Sequence, residues 1–187
     1  MEEDEKKLIE KAKKNAEAFT ELYEKYYSQI FGYVLKRVAN LEIAQDVTSE
    51  TFLKVLKNLW QFRWRNIPFS SWLYRIANNE TVNYFRKRKG RWVPLEKIAE
   101  PASADNIQTE FIEAQEELEK HQDFLKAQRK ISKLPLKYQE VIVLRFFEKK
   151  QIKEIAEILG KKEGTIKSLL HRGLEKLRGE FFETFKS

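Results

Sequence analysis

The sequence predicts an all-helical protein, two helical domains joined by an acidic linker. Three observations carry that expectation. Period-2 runs with Asn-Gly or Asp-Gly turns, the signature of β-hairpins, are absent. Apolar residues recur at steps of three and four, the spacing of helix faces. Charge also divides the chain into three blocks. Residues 1–99 carry 19 basic and 13 acidic side chains, 100–119 carry seven acidic and no basic, and 120–187 carry 17 basic and nine acidic. The acidic block follows Pro94, contains Pro101 and runs through Ala102-Ser103-Ala104-Asp105, which reads as a linker. The expected boundaries are a first domain at 1–91, a linker at 92–115 and a second domain at 116–187.

In chain order, residues 1–14 are charged and helix-like. Phe19, Leu22, Tyr23, Tyr26 and Ile30 form one helix face, and Ala44, Val47, Thr51, Val55, Leu56 and Leu59 form another. Asn66-Ile67-Pro68 breaks the chain before a third helix that carries Phe69, Trp72, Leu73, Ile76 and Ala77. Beyond the linker, Leu134-Pro135 opens a helix with Tyr138, Val141 and Ile142, and two short helices follow, divided at Gly160.

Composition narrows the function classes. At 187 residues, with 42% hydrophobic and 13% aromatic side chains, the chain can bury real cores. A formal net charge of +7 suits a polyanionic partner such as nucleic acid, and equally suits a basic protein without one. The absence of cysteine excludes disulfides, thiolate metal sites and a Cys nucleophile, and His121 and His171 are too far apart to suggest a ligand pair. No metal or cofactor is expected. Neither the carboxylate clusters nor the His/Cys spacing of a nuclease or deaminase is present. No apolar run reaches the ~18 residues of a membrane span. Residues 1–14 have neither the apolar core nor the cleavage site of a leader, so the cytoplasm is the expected compartment.

Residues 151–178 have helix-turn-helix spacing. Ala156 is small where two helices cross, and Gly160 can take the positive φ of the turn. Ile166 and Leu170 would anchor the second helix on Ile155 and Leu159. That leaves Glu163, Thr165, Lys167, Ser168, Leu169, Arg172 and Lys176 facing outward, as a helix in the DNA major groove requires. An ordinary helical hairpin is the alternative.

In the first domain the informative stretch is 60–91. Trp60, Phe62 and Trp64 alternate with Gln61, Arg63 and Arg65 ahead of a helix expected to expose Arg75, Asn78, Asn79 and Asn83. The helix ends in Arg86, Lys87, Arg88, Lys89 and Arg91. Rings interleaved with cations suit unstacked bases, the rings as stacking platforms and the cations on the backbone. Plain core aromatics with a solvated basic helix end would read the same way.

With both segments in view, the chain resembles the extracytoplasmic-function sigma factors, the small group 4 of the sigma-70 family. The resemblance rests on AFTELYEKYYSQIFGYVLKRV (18–38), AQDVTSETFLKVLKNL (44–59), FSSWLYRIANNETVNYFRKRK (69–89) and LPLKYQEVIVLRFFEKKQIKEIAEILGKKEGTIKSLLHRGLEKLR (134–178). It implies a non-enzymatic initiation factor whose partners are core RNA polymerase and promoter DNA, with an anti-sigma factor a further candidate. By the same resemblance Asp46, Glu50, Phe52 and Lys54 would meet the polymerase β′ clamp. Trp60, Phe62, Arg63, Trp64, Arg65, Arg75, Asn79, Asn83, Arg86, Lys87 and Arg88 would capture and melt the -10 element. Lys162, Glu163, Thr165, Lys167, Ser168, Leu169, Arg172 and Lys176 would read the -35 element, on a domain seated on the β flap. The linker would thread toward the active-site and RNA-exit channels. Four positions depart from the family pattern: Ser49 for Gln, Lys162 for a capping Ser, Leu169 for Arg and Gly173 for Ala. A stand-alone duplex-binding regulator would show the same helix-turn-helix but leaves residues 18–91 unexplained.

Overall fold

The computed structural model describes residues 2–64, 67–88 and 125–183. Among them there is no strand, as the spacing predicts. Four helices build the first domain: α1 (Glu2–Ala12), α2 (Ala16–Val38), α3 (Leu41–Asn58) and α4 (Phe69–Arg88), with a 3-10 turn at Leu59–Gln61. The second domain holds α5 (described over 125–133), α6 (Leu136–Ile142), a π-helical turn (Val143–Phe147), α7 (Ile152–Leu159) and α8 (Glu163–Glu183). The expected linker at 92–115 and His121 lie outside the described residues.

Two asparagines set the helix starts in the first domain. Asn15 accepts from the N–H of Glu17 at 2.8 Å and Asn40 from that of Ile43 at 2.9 Å, each satisfying a donor the helix leaves free. Between them α2 stops at Ala39, which sits in the left-handed region at φ 50°. Only Ala39 and Asn40 then connect α2 to α3, so the two helices fold back on each other. The core joins Leu22, Tyr26, Ile30 and Tyr33 of α2 to Ala44, Val47 and Val55 of α3 and Phe69, Leu73 and Ala77 of α4, with Ile9 and Ala12 of α1 closing one side. One sequence expectation fails: Leu56 is 49% exposed. A residue following Val55 is rotated ~100° around the helix, out of the buried stripe.

In the second domain Gly160 takes the left-handed turn at φ 63°, and Ile155, Ile158, Ile166 and Leu170 are buried where α7 meets α8. The helix after Gly160 is not short: α8 runs 21 residues, about 31 Å. Its close approach to α6 depends on Gly173. A Cβ there would lie 2.9 Å from Ile142 Cδ1 and 3.2 Å from Tyr138 Cβ. Gly173 therefore serves packing, not the outward face.

Gly173→Val should lower stability by roughly 1–3 kcal/mol through overpacking. Gly164, with open space around its Cα, should accept Ala at no cost in the same denaturant titration. Buried tyrosines give a second expectation. Burial, with a hydrogen bond to Glu5, raises the Tyr26 pKa, and burial pushes Tyr33 up from 10.0 to about 12 against the lowering effect of Arg37. A hydroxyl whose folded pKa is raised gives stability that is complete below its unfolded value and lost as pH climbs through the folded one. The unfolding free energy should fall above about pH 10, and less steeply in Tyr33→Phe. An unfolding midpoint that stays flat through this range refutes the assignment.

Candidate nucleic-acid interface

α8 presents Lys162, Glu163, Thr165, Lys167, Ser168, Arg172 and Lys176 to solvent, while Ile166, Leu170 and Gly173 hold its other face. Leu169 departs from the expectation; it is half-buried and packs against the core. The carbonyl of Lys162 accepts the first helical bonds, from Thr165 at 2.9 Å and Ile166 at 3.1 Å. Its side chain has no acceptor atom, so it cannot cap the first-turn N–H groups, which suit water or a phosphate oxygen. Ser168 Oγ donates to the Gly164 carbonyl at 3.0 Å and keeps only acceptor capacity outward. His171 is exposed, with Nδ1 3.5 Å from a Glu175 oxygen.

The three rings ahead of α4 divide their roles. Phe62 is buried at 6% exposure, its centroid 5.1 Å from Phe69 and 5.2 Å from Trp72, so it belongs to the core. Trp64 is half-buried, edge-on to Phe62. Trp60 is 69% exposed, its indole N–H donating to the Lys57 carbonyl at 3.0 Å. Arg63 is exposed, and Arg65 lies outside the described residues. Gln61, Phe62, Arg63, Ile67, Ser71 and Trp72 line a concavity of about 330 Å³, with Arg75 at its edge. Ser71 is 1% exposed and its hydroxyl has no partner among the described residues. Sequence reasoning missed Ser71; its signal was its place one turn into α4, beside Trp72.

Along α4, Asn79 is exposed and Asn83 is half-buried, its amide 3.4 Å from Glu80. Asn78 was expected outward with them, but it is buried at 8% exposure and accepts from Arg37 at 2.6 Å. It lies one turn from the buried Tyr74 and Thr81 on α4, which places it on the core face. Arg86 and Lys87 are exposed; Arg88 ends the helix, while Lys89 and Arg91 lie outside the described residues.

The domains meet along a seam where α4 packs on α7 and α2 on the π-turn, and several polar bonds cross it. Arg75 donates to the Ile158 carbonyl at 3.3 Å and also to that of Glu157. Glu148 accepts from the Tyr74 hydroxyl at 2.5 Å and from Lys36 at 2.9 Å, and Gln128 donates to the Leu35 carbonyl at 2.7 Å. Burial, then the Glu148 carboxylate, drives the Tyr74 pKa far up, keeping its hydroxyl a donor. A larger concavity of about 800 Å³ opens between the domains, lined by Lys54, Asn79, Asn83 and Arg86 on one side and Glu140 and Lys161 on the other.

On α3, Asp46 and Glu50 are exposed one turn apart, as expected, and Lys54 pairs with Glu80 at 2.6 Å. Phe52 does not face outward. It is 5% exposed, with its ring 4.7 Å from Tyr23 and 6.3 Å from Tyr27, so it holds α3 on α2. The apolar groups that do face out are Leu53, Leu56 and Trp60, three and seven residues along, exposed by 48%, 49% and 69%. Beside Asp46 and Glu50 they form an apolar surface with an acidic edge, the makeup of a protein-docking face. Their three- and four-residue spacing was legible in the sequence as a second stripe.

A helix-turn-helix with a basic outward face, together with a bundle that carries a concavity and an exposed apolar stripe, has the makeup of a DNA-binding factor. Known proteins give that class its family. The profile of Sigma-70 region 2 matches residues 22–91, and that of Sigma-70, region 4 matches residues 124–177. The ECF RNA polymerase sigma factor SigW of Bacillus subtilis (strain 168) is 34% identical over 182 residues, covering 92% of this chain and 94% of SigW. The RNA polymerase sigma factor YlaC of the same organism is 30% identical, covering 88% and 92%. The fold matches CnrH, solved in complex with the cytosolic domain of CnrY, at TM-score 0.67 and 21% identity over 94% of this chain and 96% of that one. The chain belongs to the extracytoplasmic-function sigma factors of the sigma-70 family: it binds RNA polymerase and directs transcription initiation from promoters.

Phe52→Ala should cost about 3–5 kcal/mol of stability. Leu53→Ala should leave the unfolding midpoint within error and weaken binding to core polymerase instead, measured by titration with labelled protein. The reverse pattern would show that the exposed stripe is not the docking face.

Proposed function

We propose that the outward face of α8 reads the -35 element, that α4 and the concavity before it capture the -10 non-template strand, and that the exposed stripe of α3 seats the first domain on the polymerase β′ clamp. In this reading the first domain spans 1–91 and the second 116–187. The observation that carries it is α8 itself, whose polar and basic residues are exposed while Ile166, Leu170 and Gly173 lock it down. Lys167, Arg172 and Lys176 would contact phosphates or base edges, and Glu163 and Thr165 stand at the end that enters the groove. Arg63 and Arg75 line the concavity, Trp60 would offer an exposed ring beside it, and Asn79 and Asn83 offer amides that both donate and accept. Asp46 and Glu50 would pair with basic groups on the clamp.

The reading sets a geometric condition. The two elements lie roughly 25 base pairs apart, about 85 Å of duplex at a rise of ~3.4 Å, whereas α4 and α7 are in contact. Both elements can be engaged only after the seam opens, which frees Arg75 from the α7 carbonyls. An anti-sigma factor that binds the closed form would hold this chain off its promoters; CnrH was solved with CnrY, and a Bartonella quintana RpoE with the anti-sigma factor NepR. This reading puts the work in the cytoplasm with the polymerase.

The test is transcription reconstituted with core polymerase and a promoter library. Alanine at Lys167, Arg172 or Lys176 should lower the salt slope of duplex binding by about one unit for a phosphate contact, or cost ~1–3 kcal/mol at a single base position for a base contact. If all three variants bind -35 duplexes like the parent, α8 is not the reader.

A further inference from the structure

Lys13 lies far in sequence from every residue given a part in strand capture, yet its ammonium reaches the loop that does the capturing. It stands in the tight turn between α1 and α2, where its N–H bonds the Ile9 carbonyl at 3.1 Å and Asn15 caps the next helix two residues on. Its backbone position is therefore fixed from both sides. The side chain is 17% exposed and donates to the Phe62 carbonyl at 2.9 Å and to Glu10 at 2.6 Å.

Phe62 opens the concavity. Its ring is held by Phe69 and Trp72, and its carbonyl is held by a charged donor 49 residues away. The same helix supports the next ring: Trp64 and residues Glu3, Lys6, Lys7, Glu10 and Lys11 of α1 line a common hollow. An extended backbone at Phe62, with φ −63° and ψ 123°, follows directly on the 3-10 turn. Without an anchor there, the carbonyl would be free to rotate and would carry Arg63 with it. Lys13 removes that freedom before DNA arrives.

We propose that Lys13 is a positioning residue for -10 strand capture: tied to Glu10, it clamps the Phe62 carbonyl and so fixes the aim of Arg63 and the rim of the concavity. This rests on the reading that the concavity takes a base of the -10 strand. Lys13 touches neither DNA nor polymerase in this role. Its effect is on how many loop conformations the strand must select from.

The experiment uses the full chain in reconstituted holoenzyme. The probes are the non-template-strand oligonucleotide of a promoter that the parent holoenzyme opens, and the corresponding -35 duplex. Lys13→Met keeps the length of the stem and removes the charged donor. Oligonucleotide affinity and open-complex formation should drop about tenfold, as losing a charge-assisted hydrogen bond implies. Core affinity and -35 duplex binding should stay at parental values. Lys13→Arg, which can still donate, should restore capture. If Lys13→Met unfolds the chain, Lys13→Gln, with a shorter neutral donor, should fold and capture weakly. Undiminished capture in Lys13→Met, or an equal loss of all three activities, overturns the proposal. Asn79→Ala separates the two readings. If it weakens capture and Lys13→Met does not, the clamp alone fails; if neither does, the concavity is not the capture site.

Discussion

One guanidinium organises the first domain. Arg37, near the end of α2, is wholly buried and donates to the Tyr33 hydroxyl at 2.9 Å and to Asn78 on α4 at 2.6 Å. Burying a charge costs several kcal/mol unless its donors are met, and here Nε and one terminal nitrogen have no partner among the described residues. The arrangement constrains α4, because a rotation that put Ala77 in the place of Asn78 would remove the amide acceptor from the buried charge. The phase of α4 is thereby set, and with it the outward placement of Arg75 and Asn79. Specificity of this kind, more than net stability, is what a buried polar contact can supply.

The seam between the domains follows a different logic. Its polar part is made of groups that water can satisfy equally well: Arg75 on two carbonyls, Lys36 and Tyr74 on Glu148, Gln128 on a carbonyl. Exchanging such bonds for water changes the free energy little, whereas parting an apolar interface costs about 25 cal/mol per Å². The buried side chains nevertheless run together across it as one continuous core, Leu22, Ile30 and Leu73 in one domain and Val141, Ile155 and Ile166 in the other. Parting the domains therefore exposes apolar surface as well as exchanging polar bonds. A factor that docks on a polymerase can offset that cost with the surface it buries against its partner.

The sequence made this architecture legible because helical stripes depend on local spacing. The faces of α2 and α4, the Gly160 turn and the Ile166–Leu170 anchor all follow from residues within two turns of one another. Where the reading missed, the cause was phase or distance. Leu56 and Asn78 each sit ~100° from a buried neighbour, and periodicity does not decide which side of the stripe such a residue falls on. Phe52 was assigned outward by family resemblance, but its burial depends on Tyr23 and Tyr27 from another helix. Phe62 looked like a base platform because alternation with Arg63 is visible, whereas its seat between Phe69 and Trp72 is tertiary. Lys13 carried no local signal at all, its acceptor being 49 residues away.

The proposed strand capture would account for the rigidity of the first domain. Extruding a base costs a few kcal/mol, and one aromatic stack returns about 1–3 kcal/mol. With Phe62 in the core and Trp64 half-buried, Trp60 is the most exposed of the three rings, so stacking alone cannot cover the cost. The remainder has to come from polar groups already in place. In the proposed reading these are the Asn79 amide at the surface, and Arg86 and Lys87 for the backbone. Polar contacts yield their full value only if the strand does not also have to order them. On that reading a loop pinned at Phe62 by ring and carbonyl together, ahead of a helix tied to a buried arginine through Asn78, is ordered before the strand arrives.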